Sequence, residues 1–370
     1  MSTQLFLRGV VLIITLSIVA CSKTRNSPVP EIPQFSKHIF PGLDFSLLRI
    51  YHVMGDSVIS YDPTHNLLYK ISLITQEADT IPIELMENFQ VSNIHYISAD
   101  SILFSNGSQL LLYQKNGEIQ KKFNLFSALS GIEKEVYSEY PYDGIANHLL
   151  YVPARKSVLF YFAKAEEGKK RVFAEYSLES EAWKSLPVHH PQSLQGVKLN
   201  YTTFPSVTLT PDGFAFIYSI SPRVVGYSWG DSLQQEKTVS SFDGKQEAEP
   251  QTNRDDWSGE FFENWVLQTP NYLKLIFDSY RNVYYRISQE ALNRNPDEGQ
   301  DYYEFLIQNR QMYLTVLDLD FEVLANYPLE KAKYDPRHAF VFSKGLWIPY
   351  AEEFLESEEG LEGDLFAFQR

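Results

Sequence analysis

The residue with the most specific chemistry is Cys21, the sole cysteine of 370 residues. It closes the run Ile18-Val19-Ala20-Cys21 behind an apolar stretch that starts at Val10. That stretch is too short to span a bilayer and has the length of a signal-peptide core. Aliphatic and small residues directly before a cysteine make a bacterial lipobox, so residues 1–20 are expected to be a signal peptide and Cys21 the lipidated first residue. A thiol used in this way supplies neither a disulfide nor a nucleophile. The rest of the chain has no GxSxG, HExxH, GxGxxG, P-loop or paired CxxC motif, and the acidic turns at Asp255 and Asp318 lack EF-hand spacing. Motifs therefore name no catalytic residue and no metal ligand. Calcium held by carboxylates from several loops would leave no linear motif, so it stays open as a cofactor.

Five residues are candidates for ligand binding because of the places they are expected to hold. His148 and His338 fall where an innermost strand should begin, beside a central channel, and Tyr201 and Tyr272 hold comparable places. Arg286 alternates with Val283, Tyr285 and Ile287 inside a strand, and a charge there needs a carboxylate partner or a ligand. A satisfied core polar group or a rim residue would show the same pattern.

The elements that must position these residues are short strands. From Pro205 to Val239 four apolar or alternating runs are separated by Pro-Asp-Gly, Ser-Pro and Gly-Asp-Ser, the grammar of antiparallel strands joined by tight turns. The grammar recurs over most of the chain, which predicts an all-β β-propeller of six blades with four antiparallel strands each. No WD or kelch signature fixes the count, and five or seven blades would also satisfy the pattern. The last blade shows only three strands, at 339–343, 346–350 and 365–370, and the segment Phe35 to Phe40 is expected to supply the outer one. That closes the ring and covers an edge that would otherwise stay unpaired. The expected layout is a tether over 21–41, rich in Ser, Pro and Asn, followed by one propeller domain over 42–370.

The stretches YLKLIFDSYRNVYYRIS and YLTVLDLDFEVLANYPLEKAKYDPRHAFVFSKGLWIPY, with the lipobox ahead of them, resemble an uncharacterised lipoprotein family of the Bacteroidota, the domain of unknown function DUF4221. The likeness is strongest from Tyr272 to Tyr350. That family is similar to six-bladed propellers and has no established activity, so the resemblance implies a fold and an address and transfers no catalytic residue.

In a four-stranded blade, the turns after the first and third strands lie on one face of the ring and all other connections on the opposite face. The long insertions at 125–147, 241–271, 289–311 and 351–364 all fall on that opposite face, and together they carry 23 acidic against 5 basic residues. The whole chain carries a net charge of −15, so the acidity belongs to one face. Such a face attracts cations, basic peptides or a positively charged partner and repels nucleic acid. Carboxylates that merely solvate the loops would look the same. Trp257, Phe261, Phe262 and Trp265 are spaced to pack the longest insertion onto the propeller or to stack on a sugar.

The expected function is a non-catalytic binding or interaction module, membrane-anchored by lipid, that meets an envelope protein or a small ligand at its acidic face. Alternatives are a metal-dependent hydrolase or lactonase-like propeller and a carbohydrate-binding accessory lipoprotein. The expected address is the outer membrane, facing the periplasm, because no acidic run follows Cys21.

Overall fold

Alternation and turn chemistry build the sheets seen in the computed structural model. It describes residues 35–368 except 42, 44–46, 48–50, 86–88, 99, 107–108, 115–117, 126–148, 162–172, 189–204, 231–233, 244–264, 293–300, 353–354 and 356–359. Of the five ligand-binding candidates, His148 and Tyr201 lie outside these residues, as do Cys21, Trp257, Phe261 and Phe262.

The first strand, β1 (Phe35–Pro41), belongs to the last blade. Blade 1 holds β2 (Tyr51–Met54), β3 (Ser57–Asp62), β4 (Leu67–Ser72) and β5 (Ala78–Pro82). Blade 2 holds β6 (Asn93–Ser98), β7 (Ser101–Ser105), β8 (Gln109–Gln114) and β9 (Ile119–Asn124). Blade 3 holds β10 (Leu149–Val152), β11 (Ser157–Tyr161), β12 (Phe173–Ser177) and β13 (Trp183–Ser185). Blade 4 holds β14 (Pro205–Thr210), β15 (Gly213–Tyr218), β16 (Arg223–Ser228) and β17 (Gln234–Thr238). Blade 5 holds β18 (Asn271–Asp278), β19 (Val283–Gln289), β20 (Met312–Leu317) and β21 (Val323–Leu329), with helix α1 (Tyr302–Asn309) between its second and third strands. Blade 6 holds β22 (Phe340–Phe342), β23 (Gly345–Pro349) and β24 (Gly360–Phe366), and β1 pairs antiparallel with β24 as its outer strand.

Each sheet runs from a first strand at the channel to an outer strand in solvent, and the sequence follows that gradient. In blade 4 all six residues of β15, GFAFIY, are buried, whereas β17 reads QQEKT and is largely exposed. A strand covered on both faces loses its alternation and becomes continuously apolar. Gly213 opens β15 because a Cβ there would stand 1.7 Å from the Tyr227 carbonyl oxygen. Gly345 opens the equivalent strand of blade 6 at φ +152°, where a Cβ would meet the Phe366 carbonyl oxygen at 2.4 Å.

The first strands of neighbouring blades approach one another around the ring, β2 with β6, β6 with β10, β14 with β18, β18 with β22 and β22 with β2. Blades 3 and 4 join through Leu159, Tyr161 and Phe173 against Phe214 and Phe216. A hydrophobic core lies in each of these seams; the one that closes the ring packs Phe40 of β1 with Phe340, Phe342 and Trp347 of blade 6 and Val58 and Ile71 of blade 1.

Two expectations change. The last sheet strand is 360–366, not 365–370, so Glu362 and Asp364 are not part of an acidic loop. Both are buried in β24, where Lys37 of β1 lies 3.3 Å from Glu362 and Asp364 accepts hydrogen bonds from the hydroxyls of Tyr334 (2.6 Å) and Tyr350 (2.7 Å). Buried carboxylates persist only when partnered in this way. In addition, the tether bound of 41 moves back, because the closing strand expected at Phe35 to Phe40 forms as Phe35–Pro41.

Candidate functional site

The plain face is locked. Asp278, fully buried, accepts from the backbone amides of Tyr280 and Arg281, from the Arg281 guanidinium at 3.0 Å and from the Tyr285 hydroxyl. Arg281 also donates to the Ser343 carbonyl, and the Ser343 amide donates to Asp56, so the first turns of blades 5, 6 and 1 are tied together. On blade 3 the Arg155 guanidinium forks onto Glu175 at 2.5 and 2.8 Å and lies over the Trp229 ring of blade 4. Turns bonded like this hold the ring together.

The seam between blades 4 and 5 holds two of the sequence candidates. Arg286 has no exposed surface, and its guanidinium donates to the carbonyl oxygens of Pro222 (2.8 Å) and Val239 (2.8 Å) and to the Ser241 hydroxyl (2.6 Å). Its carbon centre stands 4.9 Å from the Tyr272 ring. The expected carboxylate partner is not what holds it: strand-end carbonyls and an aromatic face do. Burial lowers its pKa to about 10, an effect the Tyr272 ring partly opposes, and it stays a cation at neutral pH. Tyr272, also buried, stacks on Phe242.

The end of the channel away from the plain face holds a further group around blade 6. His338 ends the 3-10 turn Pro336–His338 that leads into β22, and Asp335 caps that turn by accepting from the Arg337 amide. The Asp335 carboxylate is gripped by the Arg337 guanidinium at 2.8 and 2.7 Å. Burial works to raise its pKa, but the Arg337 bonds and charge win and hold it below the usual carboxylate range. From blade 5, Lys274 on β18 donates its ammonium to the Arg337 carbonyl oxygen. From blade 1, the Tyr51 ring at the start of β2 lies 6.1 Å from the His338 ring.

Protein surrounds these groups closely enough to move their titration. Lys274 is half-buried, and desolvation lowers it to about 8 against a raising pull from Asp335. Desolvation also brings His338 down to about 4, with Asp335 pulling upward and Lys274 and Arg337 downward, and it raises Tyr51, with Asp335 adding to the rise. Next to Tyr51 in sequence, His52 packs edge-on against His95 of blade 2 with ring centroids 5.4 Å apart. Burial holds these two at about 4 and about 3, so both imidazoles are neutral at pH 7.

Thus Tyr51, Lys274, Asp335 and His338 come together from three consecutive blades where the first strands begin, on the face of the long connections. Of the five candidates only His338 belongs to this group, and Tyr272 and Arg286 pair with each other one seam away. The sequence analysis missed Tyr51, His52, His95, Lys274 and Asp335. Aligning the openings of the first strands, YHV, NIHY, NYLK and the HAF before β22, would have shown polar residues recurring in this tier.

Insertions frame this face. Arg310, buried after α1, donates to the Leu267 and Thr269 carbonyl oxygens, and Leu267, Leu292 and Phe305 form a small core between the two insertions around blade 5. Trp265 packs against the core between blades 3 and 4. Among the described residues no group of three or more His, Cys, Asp or Glu side chains could hold a metal ion, and most of the acidic loop carboxylates lie outside those residues. A hollow of about 370 Å³ lies between blades 1 and 2, with apolar lining that includes Ile59, Leu68 and Ile102 and with Lys70, Asp79 and Asp100 as its charged groups.

The fold and site define a six-bladed β-propeller closed by an N-terminal strand, with a polar group where its channel opens to the elaborated face. The chain belongs to the DUF4221 family, a domain of unknown function, whose sequence profile matches residues 87–325. A crystal structure of a DUF4221 member from Bacteroides vulgatus ATCC 8482 is similar to it at a TM-score of 0.69 with 15% identity, over 91% of this chain and 99% of that one. A protein of Bacteroides fragilis NCTC 9343, named as a candidate exported protein, is similar at a TM-score of 0.54 with 11% identity, over 93% of this chain and 98% of that one. No functionally curated protein matches the chain. At these identities the likeness shows the fold alone.

Proposed function

We propose that this chain is a cell-envelope lipoprotein, anchored through Cys21, whose propeller is a binding module that receives a ligand at the channel end nearest its long connections. The observation that carries the binding assignment is the convergence of Tyr51, Lys274, Asp335 and His338 from three blades. Polar groups brought together at the mouth of a mostly apolar ring fix a ligand's orientation, and propellers offer such a place at the channel. The lipobox supports the anchor, and the name of the Bacteroides fragilis relative agrees with export. Phe35 pairs with Phe366 beside the plain-face turn of blade 6, so a tether reaching Phe35 from a membrane would turn the elaborated face away from the bilayer.

Two measurements test this. Palmitate labelling of expressing cells should mark the chain and fail for Cys21→Ser; equal labelling would remove the anchor. A metabolite and peptide screen against the full chain in detergent should yield a ligand whose affinity falls about tenfold or more in Tyr51→Phe or Lys274→Met. A ligand indifferent to both variants would place binding elsewhere.

A further inference from the structure

Charge is unevenly matched where the channel opens. Asp335 is bound on both oxygens by the Arg337 guanidinium and by the Arg337 amide. Its oxygens are therefore taken up by Arg337, and among the described residues no carboxylate forms an ion pair with Lys274, on which Asp335 acts only at longer range. The Lys274 ammonium has three N–H donors, and its hydrogen bond goes to one carbonyl oxygen, that of Arg337. A cation partly withdrawn from water and short of acceptors is costly. The Tyr51 hydroxyl, whose ring faces His338, is a further donor in the same tier.

We propose that Lys274 and Tyr51 form a subsite for the carboxylate of a small organic monoanion at this end of the channel. This rests on the binding function proposed above and names its ligand class. One unmatched positive charge suits a monoanion better than a phosphate dianion. The half-buried Tyr51 ring gives the ligand body an apolar face to pack on, which suits an organic acid better than an inorganic ion. The ligand's carboxylate accepts from the ammonium and the phenol, the charge-assisted kind of hydrogen bond that contributes most in a partly desolvated site. His338 is neutral at pH 7 and adds no competing charge.

Matched acid and amide probes test this on the full chain in detergent at fixed ionic strength and pH 7. Acetate and acetamide, and benzoate and benzamide, are titrated calorimetrically and by thermal unfolding, where a ligand of the folded state raises the midpoint. Each acid should bind at least about tenfold tighter than its amide. Lys274→Met should abolish that preference, and Lys274→Arg should keep part of it. Inorganic phosphate should bind more weakly than benzoate. Acid and amide binding alike, or neither binding, would overturn the carboxylate assignment. So would an acid preference that survives in Lys274→Met with the circular dichroism of the parent. Neutral probes that bind the parent and lose affinity in Tyr51→Phe would sink only the carboxylate and leave the channel as the binding site. Binding indifferent to every one of these variants would remove both.

Discussion

Two cations stand on the paired strands of one hairpin of this propeller, Lys274 on β18 and Arg286 on β19. Arg286 of β19 pairs in register with Leu275, next to Lys274 of β18, and Lys274 pairs with Ile287. One residue of offset sends them to opposite seams. Arg286 reaches Pro222, Val239 and Ser241 of blade 4, while Lys274 reaches Arg337 at the start of blade 6. Arg286 is surrounded by three oxygens and an aromatic ring; Lys274, itself half-buried, has one carbonyl. Equal formal charge thus serves two purposes, and the number of acceptors already supplied by the fold decides which. A guanidinium whose two terminal nitrogens each bond a main-chain carbonyl holds strand ends together. An ammonium with unfilled donors at a channel mouth is available to something that enters.

The largest effect should come from breaking the filled site. Arg286→Met leaves the carbonyls of Pro222 and Val239 and the Ser241 hydroxyl without their donor, and unsatisfied buried groups cost about 1–3 kcal/mol each. We expect a loss of about 3 kcal/mol or more, read from urea unfolding at unchanged slope, with Arg286→Lys in between because one ammonium cannot span the fork. Parent-like stability in Arg286→Met would show that the seam is held by its hydrophobic core alone.

What the sequence made legible follows from the same distinction. Blade strands, turns and the closing strand at Phe35 were readable because period-2 patterning and turn residues are local. Arg286 stood out as a charge within a strand, but its partners are carbonyls, which every residue carries and no sequence pattern marks. Glu362 and Asp364 read as loop acids because six of the ten residues from 350 to 359 are polar or charged and the strand GLEGDLF carries two acids of its own. Only the folded sheet shows that Lys37 of β1 pairs with Glu362 and that Tyr334 and Tyr350 hold Asp364. The channel group was invisible for another reason. Tyr51, Lys274 and His338 lie far apart in sequence, and the ring closure that joins blades 6 and 1 is what brings them together.

A smaller effect sharpens the contrast from the acid side. His52, His95 and His338 sit near 4, 3 and 4 in the folded protein, all by burial, against 6.5 when exposed. The groups that bear on them are His52 on His95, and Asp335, Lys274 and Arg337 on His338. Between pH 6.5 and about 4 the unfolded chain holds protons on these rings that the folded chain does not, so stability rises with pH through that window and falls as acid is added. His95→Leu should lower the proton uptake on unfolding by about one in this range, measured as the slope of unfolding free energy against pH. A slope unchanged from the parent would mean that His95 is charged when folded or already relieved by water.

The smallest effect separates the open cation from the filled one. Lys274→Met exchanges a poorly accepted ammonium for an apolar stem of similar length, and such exchanges of a desolvated charge are commonly neutral or mildly stabilising. We expect a change within about 1 kcal/mol at pH 7, in contrast to Arg286→Met. The pH dependence is the finer measure. With Lys274 near 8 when folded and 10.5 when exposed, the folded chain releases this proton first, so the group's contribution to stability is lowest below pH 8, climbs between about 8 and 10.5, and is level above. Lys274→Met should remove that climb and leave the acid limb set by the histidines intact. A saturating carboxylate should also flatten it in the parent, because an anion beside the ammonium restores the proton that burial weakens. If the climb persists in Lys274→Met, another group titrates there, and the contrast between the two cations loses its electrostatic half.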